Sequence, residues 1–488
     1  MTAERVLRTY LTLVAVSTGA SSMIWGINTL FLLDAGLNVA QAFAANAFFT
    51  VGMVLFEVPT GVVADTIGRR ASYLLGTATL IGTTLLYLWL WRVHAGFGWW
   101  AVVSGLLGLG FTFFSGATEA WLVDGLHATG YEGSLDAAFA KGQVANGVAM
   151  MAGSIGGGVL AQVTNLGMPY VARAVLLVAT FAVAWRSMRD IGFTPKPRAS
   201  VRGEMTGIVR SSLRHGLLNP RVRWVILAGP FTAGVNAYGF YAAQPYLLHL
   251  YGHTTSYAVA GLSAGVVAAA QIAGGLSAPH LSRLFTRTHP HVEGGRAAHP
   301  VAERGRAAQP VAEGGGTAQP VAERGRAAQP VAEGGGTAQP VVGRGLASQP
   351  APERSGGVDR RVGVLMGAIV VSGVVIAGIG VVTSFWAALV LLMVWGTMFA
   401  AMVPVRQAYL NSYIPSEQRA TVLSLDNLVG SAGGVVVQPA LGRAADVWGF
   451  GPAYLICAAV QVLAVPVLGL ARRKPVEPVD AQPLAWRA

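Results

Sequence analysis

Three carboxylates stand inside stretches of chain that are otherwise apolar. Glu57 follows Met53-Val54-Leu55-Phe56, Glu119 precedes Ala120-Trp121-Leu122, and Asp426 lies within Leu423-Ser424-Leu425-Asp426-Asn427-Leu428. A carboxyl group can take up and return a proton. Keeping one in an apolar setting is costly, so such a residue marks a proton path, a solute contact or a structural hydrogen bond near the headgroups. Arg406, preceded by Val403-Pro404-Val405, is the partner expected for Asp426, or a solute contact in its own right. Nothing around these groups resembles catalytic machinery. No Gly-x-x-x-x-Gly-Lys phosphate loop occurs, which argues against direct ATP drive. No Ser/His/Asp set or metal-ligand cluster stands out, and the nine histidines fall mostly at loops and block ends. The one cysteine, Cys457, lies in an apolar block, so neither a disulfide framework nor a Cys-based metal site can form. The expectation is a protein that is not an enzyme and needs no cofactor or metal.

The elements that hold these groups follow from composition. Charged residues make up 11% of the 488 residues and hydrophobic ones 53%, with a mean hydropathy of +0.52. Soluble domains carry about 25% charged residues. Apolar runs of about 20 residues recur, the length that crosses a bilayer core as a helix. Helices satisfy every backbone polar group internally, whereas strands of a barrel would alternate at period two and be half as long. About twelve spans result, beginning near Thr9, Val39, Ala71, Trp99, Ala140, Pro169, Trp224, Ser256, Val362, Phe385, Ala420 and Pro452. The first, Thr9 to Leu33, has no small-residue cleavage site and reads as an uncleaved helix. The fold class is an all-α, multi-pass membrane protein, and its partners are the lipid bilayer and a small solute.

The net charge of +12 does not indicate nucleic acid, because the basic residues form no single compact face. They lie between the apolar blocks: Arg5 and Arg8, Arg69 and Arg70, Lys141, a cluster from Arg186 to Arg223, Arg283 and Arg287, Arg419, and Arg472 to Lys474. All fall on one side of an alternating count. The opposite loops hold mainly Arg92, Arg173 and Arg443. The positive-inside rule then places both termini in the cytoplasm, with the chain in the plasma (inner) membrane. Residues 286–361 differ in kind. From His299 they read HPVAERGRAA, QPVAEGGGTA, QPVAERGRAA and QPVAEGGGTA, a decapeptide repeat too short and too rich in Gly and Pro to bury a core. The expected organisation is 1–190 as one bundle of helices and 191–223 as a connection. Helices 7–8 fill 224–285, a disordered loop 286–361, helices 9–12 fill 362–473, and 474–488 is a tail.

The halves show signs of duplication. Glu57-Val-Pro-Thr-Gly-Val-Val-Ala-Asp65 aligns with Gln271-Ile-Ala-Gly-Gly-Leu-Ser-Ala-Pro279, and Glu119-Ala-Trp-Leu aligns with Gln407-Ala-Tyr-Leu. Asn146 and Gly153 match Asn427 and Gly434. The pairs imply two pseudo-symmetric bundles of about six helices in parallel orientation, with the solute site between them near the midplane. The first half carries acids where the second has amides, which keep hydrogen bonding but cannot titrate.

At Gly61-Val-Val-Ala-Asp65-Thr-Ile-Gly68-Arg69-Arg70 the chain resembles the loop between the second and third helices of the major facilitator superfamily. Gly61 would allow close helix packing, and Gly68 a tight turn. Thr66 stands where the family usually has a basic residue. The resemblance implies that Asp65, Arg69 and Asp124 form a charged relay stabilising one state of an alternating-access cycle, with Arg70 beside it. It also implies that the first, fourth, seventh and tenth helices line a cavity. Their candidate residues are Trp25, Asn28, Phe113, Asn236, Tyr238, Tyr241, Gln244, Trp395, Met398 and Met402, an aromatic and methionine lining that suits an amphipathic solute. Two efflux motifs are partial. Ser104 occupies the place of an arginine before Gly108 and Gly110, and Gly153-Ser-Ile-Gly156-Gly157-Gly158 lacks its proline. The implied activity is secondary transport by a monomer, coupled to protons through Glu57, Glu119 or Asp426 and directed outward. Import in the same fold, or a sensor or scaffold that no longer transports, are the alternatives.

Overall fold

The computed structural model describes residues 1–114, 116–195, 216–220, 222–286, 355–414 and 419–472. The decapeptide repeat, most of the 191–223 connection and the 474–488 tail lie outside the described residues. By chain contacts the described residues form one compact unit.

The first half runs α1 (Ala3–Ser22), α2 (Asn28–Asp34), α3 (Val39–Thr66), α4 (Arg69–Arg92), α5 (Phe97–Thr112), α6 (Ala117–Ala128), α7 (Leu135–Val163) and α8 (Met168–Ser187). The second runs α9 (Val222–Tyr251), α10 (Tyr257–Thr286), α11 (Ser355–Val381), α12 (Phe385–Ser412), α13 (Arg419–Trp448), α14 (Phe450–Val462) and α15 (Ala464–Arg472). Three expected spans are each built of two consecutive helices: α1 and α2, α5 and α6, α14 and α15. In the fourth span the break falls where Gly116 adopts the left-handed region, φ 68°. Helix α11 opens at Ser355, ahead of the expected 362. Among the described residues, nine stretches are long and apolar enough to cross a membrane. Helices α1, α9 and α13 correspond to the other three expected spans. They are diluted by polar residues such as Glu4 and Arg8, Asn236 and Gln244, and Asp426 and Gln438.

Arg92, Arg173 and Arg443, expected in the opposite loops, are helical, in α4, α8 and α13. Arg173 is only 2% exposed. Charge counting treats any arginine near a span end as a topology marker, and Arg173, five residues into α8, is instead an interior group.

Lipid tails are as apolar as leucine, so close backbone approach holds helices together in a bilayer. The glycine run in α7 serves this end. A methyl on Gly158 would stand 2.7 Å from the Cα of Gly261 in α10, and one on Gly157 would collide with the Met23 carbonyl. A methyl on Gly26 would stand 2.8 Å from that same Gly261 Cα, so three elements meet there. Large apolar side chains such as Trp89, Val175, Trp386 and Val436 face outward, as a lipid-facing surface requires. The halves join along α3 with α13 and α7 with α10.

At the end of the bundle opposite Asp65, here the far face, the halves are tied by polar bonds. Asn38 and Gln41 form a capping box that starts α3. The Asp446 carboxylate of α13 then accepts the Val39 and Ala40 N–H groups, each at 2.9 Å. The Gln244 amide accepts from Thr29 N at 2.9 Å and donates to the Trp25 carbonyl at 2.7 Å, bridging α9 to the break between α1 and α2. Thr29 Oγ1 donates to the Tyr241 carbonyl at 3.1 Å.

Candidate functional site

Toward the Asp65 face the halves part, and a cavity of about 770 Å³ lies between them. Its wall from the first half is α3, with Met53 and Glu57. From the second half it includes Thr232 of α9, Met402, Arg406 and Gln407 of α12, and Asp426 and Asn427 of α13. Glu57 is about eight residues, or about 12 Å, from the Asp65 end of α3. Three of the four ionisable residues singled out from the sequence therefore share one cavity.

Arg406 and Asp426 form an ion pair, Nη2 to Oδ1 at 2.5 Å. The same Nη2 donates to the Val225 carbonyl at 2.9 Å, while Nε is buried with no hydrogen-bond partner. Gly229 makes room: a methyl there would stand 2.9 Å from that Nη2. Asp426 is 9% exposed, so the pair is held largely out of solvent, where its attraction is strong and the loss of either partner would strand a charge. Counting Glu57, Asp426 and Arg406, the ionisable side chains of the wall sum to one negative formal charge, which suits a proton or a cationic group.

Other expected site residues lie elsewhere. Glu119 is exposed in the first turn of α6, and its charge reaches Tyr10. Phe113 faces α4: a methyl on Gly76 would stand 2.8 Å from its Cβ, and its carbonyl accepts from Ser72 Oγ at 2.8 Å. Trp395 packs against Gly239, and Tyr238 against Phe43 with ring centroids 5.0 Å apart. Asn236 is half-buried with an unpartnered Oδ1, and Met398 is half-buried one turn before Met402. Trp25, Asn28, Tyr241 and Gln244 cluster toward the far face.

The loop after α3 shows how the signature is built. Arg69, at the start of α4, binds Asp65 of α3, four residues back, at 2.5 Å. Gly68 adopts φ 128°, and any side chain there would run into the Asp190 carboxylate. Asp190, just past α8, accepts the Arg70 N–H at 2.9 Å, and the Arg70 Nη2 donates to the Trp185 carbonyl at 2.7 Å. Burial raises the Asp190 carboxyl above its ordinary value, opposed by the Arg70 N–H and the charges of Arg70 and Arg69, and reinforced by Asp124. Asp124 thus acts on this loop through its charge on Asp190, and no ion pair with Arg69 is seen among the described residues. A methyl on Gly61 would meet nothing within 4 Å, so the close packing expected there is not used in this state. Thr66 turns its hydroxyl onto the Val62 carbonyl at 2.7 Å.

Sequence reasoning passed over Asp190 and Asp446, and it read Arg173 as a loop charge. An acid just beyond a basic span end was the available signal for Asp190. Asp446 reaches residues some 400 positions earlier, and nothing local announces it.

A two-halved helical bundle, closed at one face and open at the other around an ionisable cavity, defines a multi-pass membrane transporter. The chain belongs to the Major Facilitator Superfamily, whose family model matches residues 10–294 and 342–487. A search of curated protein sequences finds no match. Among solved structures it is similar to the nucleoside transporter NupG, at TM-score 0.65 and 9% identity, over 96% of this chain and 100% of that one. A bacterial homolog of the human lysosomal transporter Spinster, inward-facing and unoccupied, gives 0.64 and 14%, over 96% and 97%. The peptide transporter POT in complex with sulfate gives 0.59 and 12%, over 96% and 95%. At these identities the likeness speaks for the fold and not for the cargo.

Proposed function

We propose that this protein moves a small amphipathic solute across the plasma membrane by alternating access, driven by protons and directed outward. The observation that carries the reading is the cavity at the Asp65 face, in which Glu57 of one half faces the Arg406–Asp426 pair of the other while the far face is shut. In this reading the Asp65 face is cytoplasmic, as its basic residues suggest, so the structure corresponds to the inward-open state of a monomer. Glu57 takes the coupling proton, and the Arg406–Asp426 pair responds to solute. When the cytoplasmic side closes, the open surface at Gly61 meets the opposite half, and the Asp65–Arg69 pair with Asp190 and Asp124 holds that contact. Protonation removes the negative charge of Glu57 before the halves close over it, which avoids burying an unneutralised carboxylate.

Outward direction rests on the glycine run of α7. Import is favoured by a different observation, a buried group of hydrogen-bond donors toward the far face. A susceptibility panel of toxic amphipaths on cells with and without the gene, followed by accumulation with and without a proton uncoupler, tests the reading. Cells expressing the protein should accumulate less solute, and the uncoupler should abolish the difference. Glu57→Gln should leave the uncoupler without effect; full proton dependence in that variant would remove Glu57 from the mechanism.

A further inference from the structure

Arg173 is the most deeply enclosed cation among the described residues. It is 2% exposed, and its Nε and Nη2 have no hydrogen-bond partner. It lies about 7 Å from the far-face end of α8, well away from the Asp65-side cavity. A chain of polar groups begins at Tyr170, three residues before Arg173 and so on the same face of α8. The Tyr170 hydroxyl donates to Asn28 Oδ1 at 3.0 Å, and Asn28 Nδ2 donates to Asn46 Oδ1 at 3.0 Å. The Asn46 Nδ2 is left buried and unpartnered. Tyr87 bonds Ser104 at 2.7 Å, and with Tyr170 it lies within electrostatic reach of the guanidinium. The unfilled positions of this group, Arg173 Nε and Nη2 and Asn46 Nδ2, are all donors. Leaving such donors buried is costly, and a cation more so, unless an acceptor reaches them for part of the cycle.

From the other half, α9 reaches this group. Tyr241 of α9 lies within electrostatic reach of Tyr87 and Tyr170, and its carbonyl and the neighbouring Gln244 are the groups tied to Thr29 and Trp25. Opening the far face requires those ties to break and carries Tyr241 away with its half. Beside it is an aromatic wall: Phe31 stacks on Tyr170 at 4.0 Å and on Trp91 at 5.6 Å, and Tyr87 meets Trp100 at 5.1 Å. A guanidinium matches a single carboxylate, and the rings match an apolar or aromatic body.

We propose that Arg173, with Asn46 and Tyr170, is a binding site for a monoanionic carboxylate solute, assembled in the far-face-open state. The proposal rests on alternating access; import would load the site from the far face, and export would release solute there. Two measurements separate the two ideas. In Arg173→Cys, with Cys457→Ser removing the native thiol, a membrane-impermeant thiol reagent is applied to cells from outside. Labelling that stops when a disulfide links Thr29→Cys to Gln244→Cys shows that far-face opening uncovers the position. Absence of labelling would overturn both the site and the opening that exposes it. In the second measurement, purified wild-type protein is titrated with sodium benzoate, with benzamide as the neutral isostere and sodium chloride as the ionic control, following the melting transition. Benzoate alone should raise it. Arg173→Gln should weaken the apparent affinity by about tenfold or more, the effect of losing a charge-assisted hydrogen bond, and Arg173→Lys should recover part of it. Labelling without a benzoate shift, or a shift unchanged in both Arg173→Gln and Arg173→Lys, would overturn the anion site and leave alternating access standing. An equal shift with chloride would overturn the carboxylate assignment.

Discussion

Replacing Asp446 with alanine should tip the protein toward the state open at the far face. The carboxylate accepts two backbone N–H groups at the start of α3, at 2.9 Å each, and joins the second half to the first there. Asp446 is exposed, so each bond lies near the lower end of the usual net contribution, about 0.5–1 kcal/mol. A negative charge at a helix N-terminus adds about 0.3–1 kcal/mol at an exposed site. The sum is about 1.3–3 kcal/mol, present only while the far face is shut, and its loss should raise the open-to-closed ratio by about 9- to 160-fold. Spin labels at Arg92 and Ser384, both exposed at the far face, report the separation in a Cys457→Ser background. The Asp446→Ala distance distribution should gain a longer component, and raising ionic strength should reproduce part of it in the wild type. An Asp446→Ala distribution superimposable on the wild type would refute the idea that this carboxylate holds the face closed.

Arg406→Ala should lower the melting midpoint by several degrees, because it strands the Asp426 carboxylate. The double variant Arg406→Met with Asp426→Leu should regain most of that loss yet transport nothing, and a transporting double variant would show the pair to be merely structural. Asp190 should impose a pH dependence of known sign. Because its folded carboxyl is raised above 3.8, its stabilisation is complete below that value and is lost as pH rises through the folded value. Asp190→Asn keeps an acceptor for the Arg70 N–H, so it should melt higher than wild type near pH 7, with the gap closing toward pH 4. A gap that widens on acidification would reverse the assignment. Deleting 287–353 should leave melting and transport unchanged, since both flanking helices are retained; loss of transport in a well-expressed deletion would give that segment a role.

The parts of the site that sequence made legible are those whose physics is local. An acid in an apolar run is conspicuous, so Glu57 and Asp426 could be named, and Arg406 was paired with Asp426 by sign alone. The turn at Gly68 was readable because a glycine before two arginines at a span end has few other uses. Which side of a helix faces the cavity was not readable. Phe113 and Trp395 sit on expected lining helices but turn toward α4 and α9, because a helix buried by protein on several sides carries no clean polar stripe. Arg173 was misplaced for a related reason: charge near a span end looks the same whether it points to water or inward. The Asp446 clasp depends on register between two halves, which neither half encodes alone.

The crossing of α7 and α10 at Gly158 and Gly261 has a mechanical consequence. With backbone against backbone there, no side chains need change rotamer when the halves roll, and the spot can act as a fulcrum. It is placed off centre. Gly158 stands about five residues, or 8 Å, from one end of α7 and about 23 residues, or 35 Å, from the other. A rigid roll of about 10° about that point would move the Asp65 end by about 6 Å but the far end by little more than 1 Å, given those arms. Rigid rocking can therefore work the Asp65 side alone. Far-side access must come from bending within the short arm, and the interruption between α1 and α2, which carries Met23 and Gly26 against this same crossing, is the place where the chain can flex.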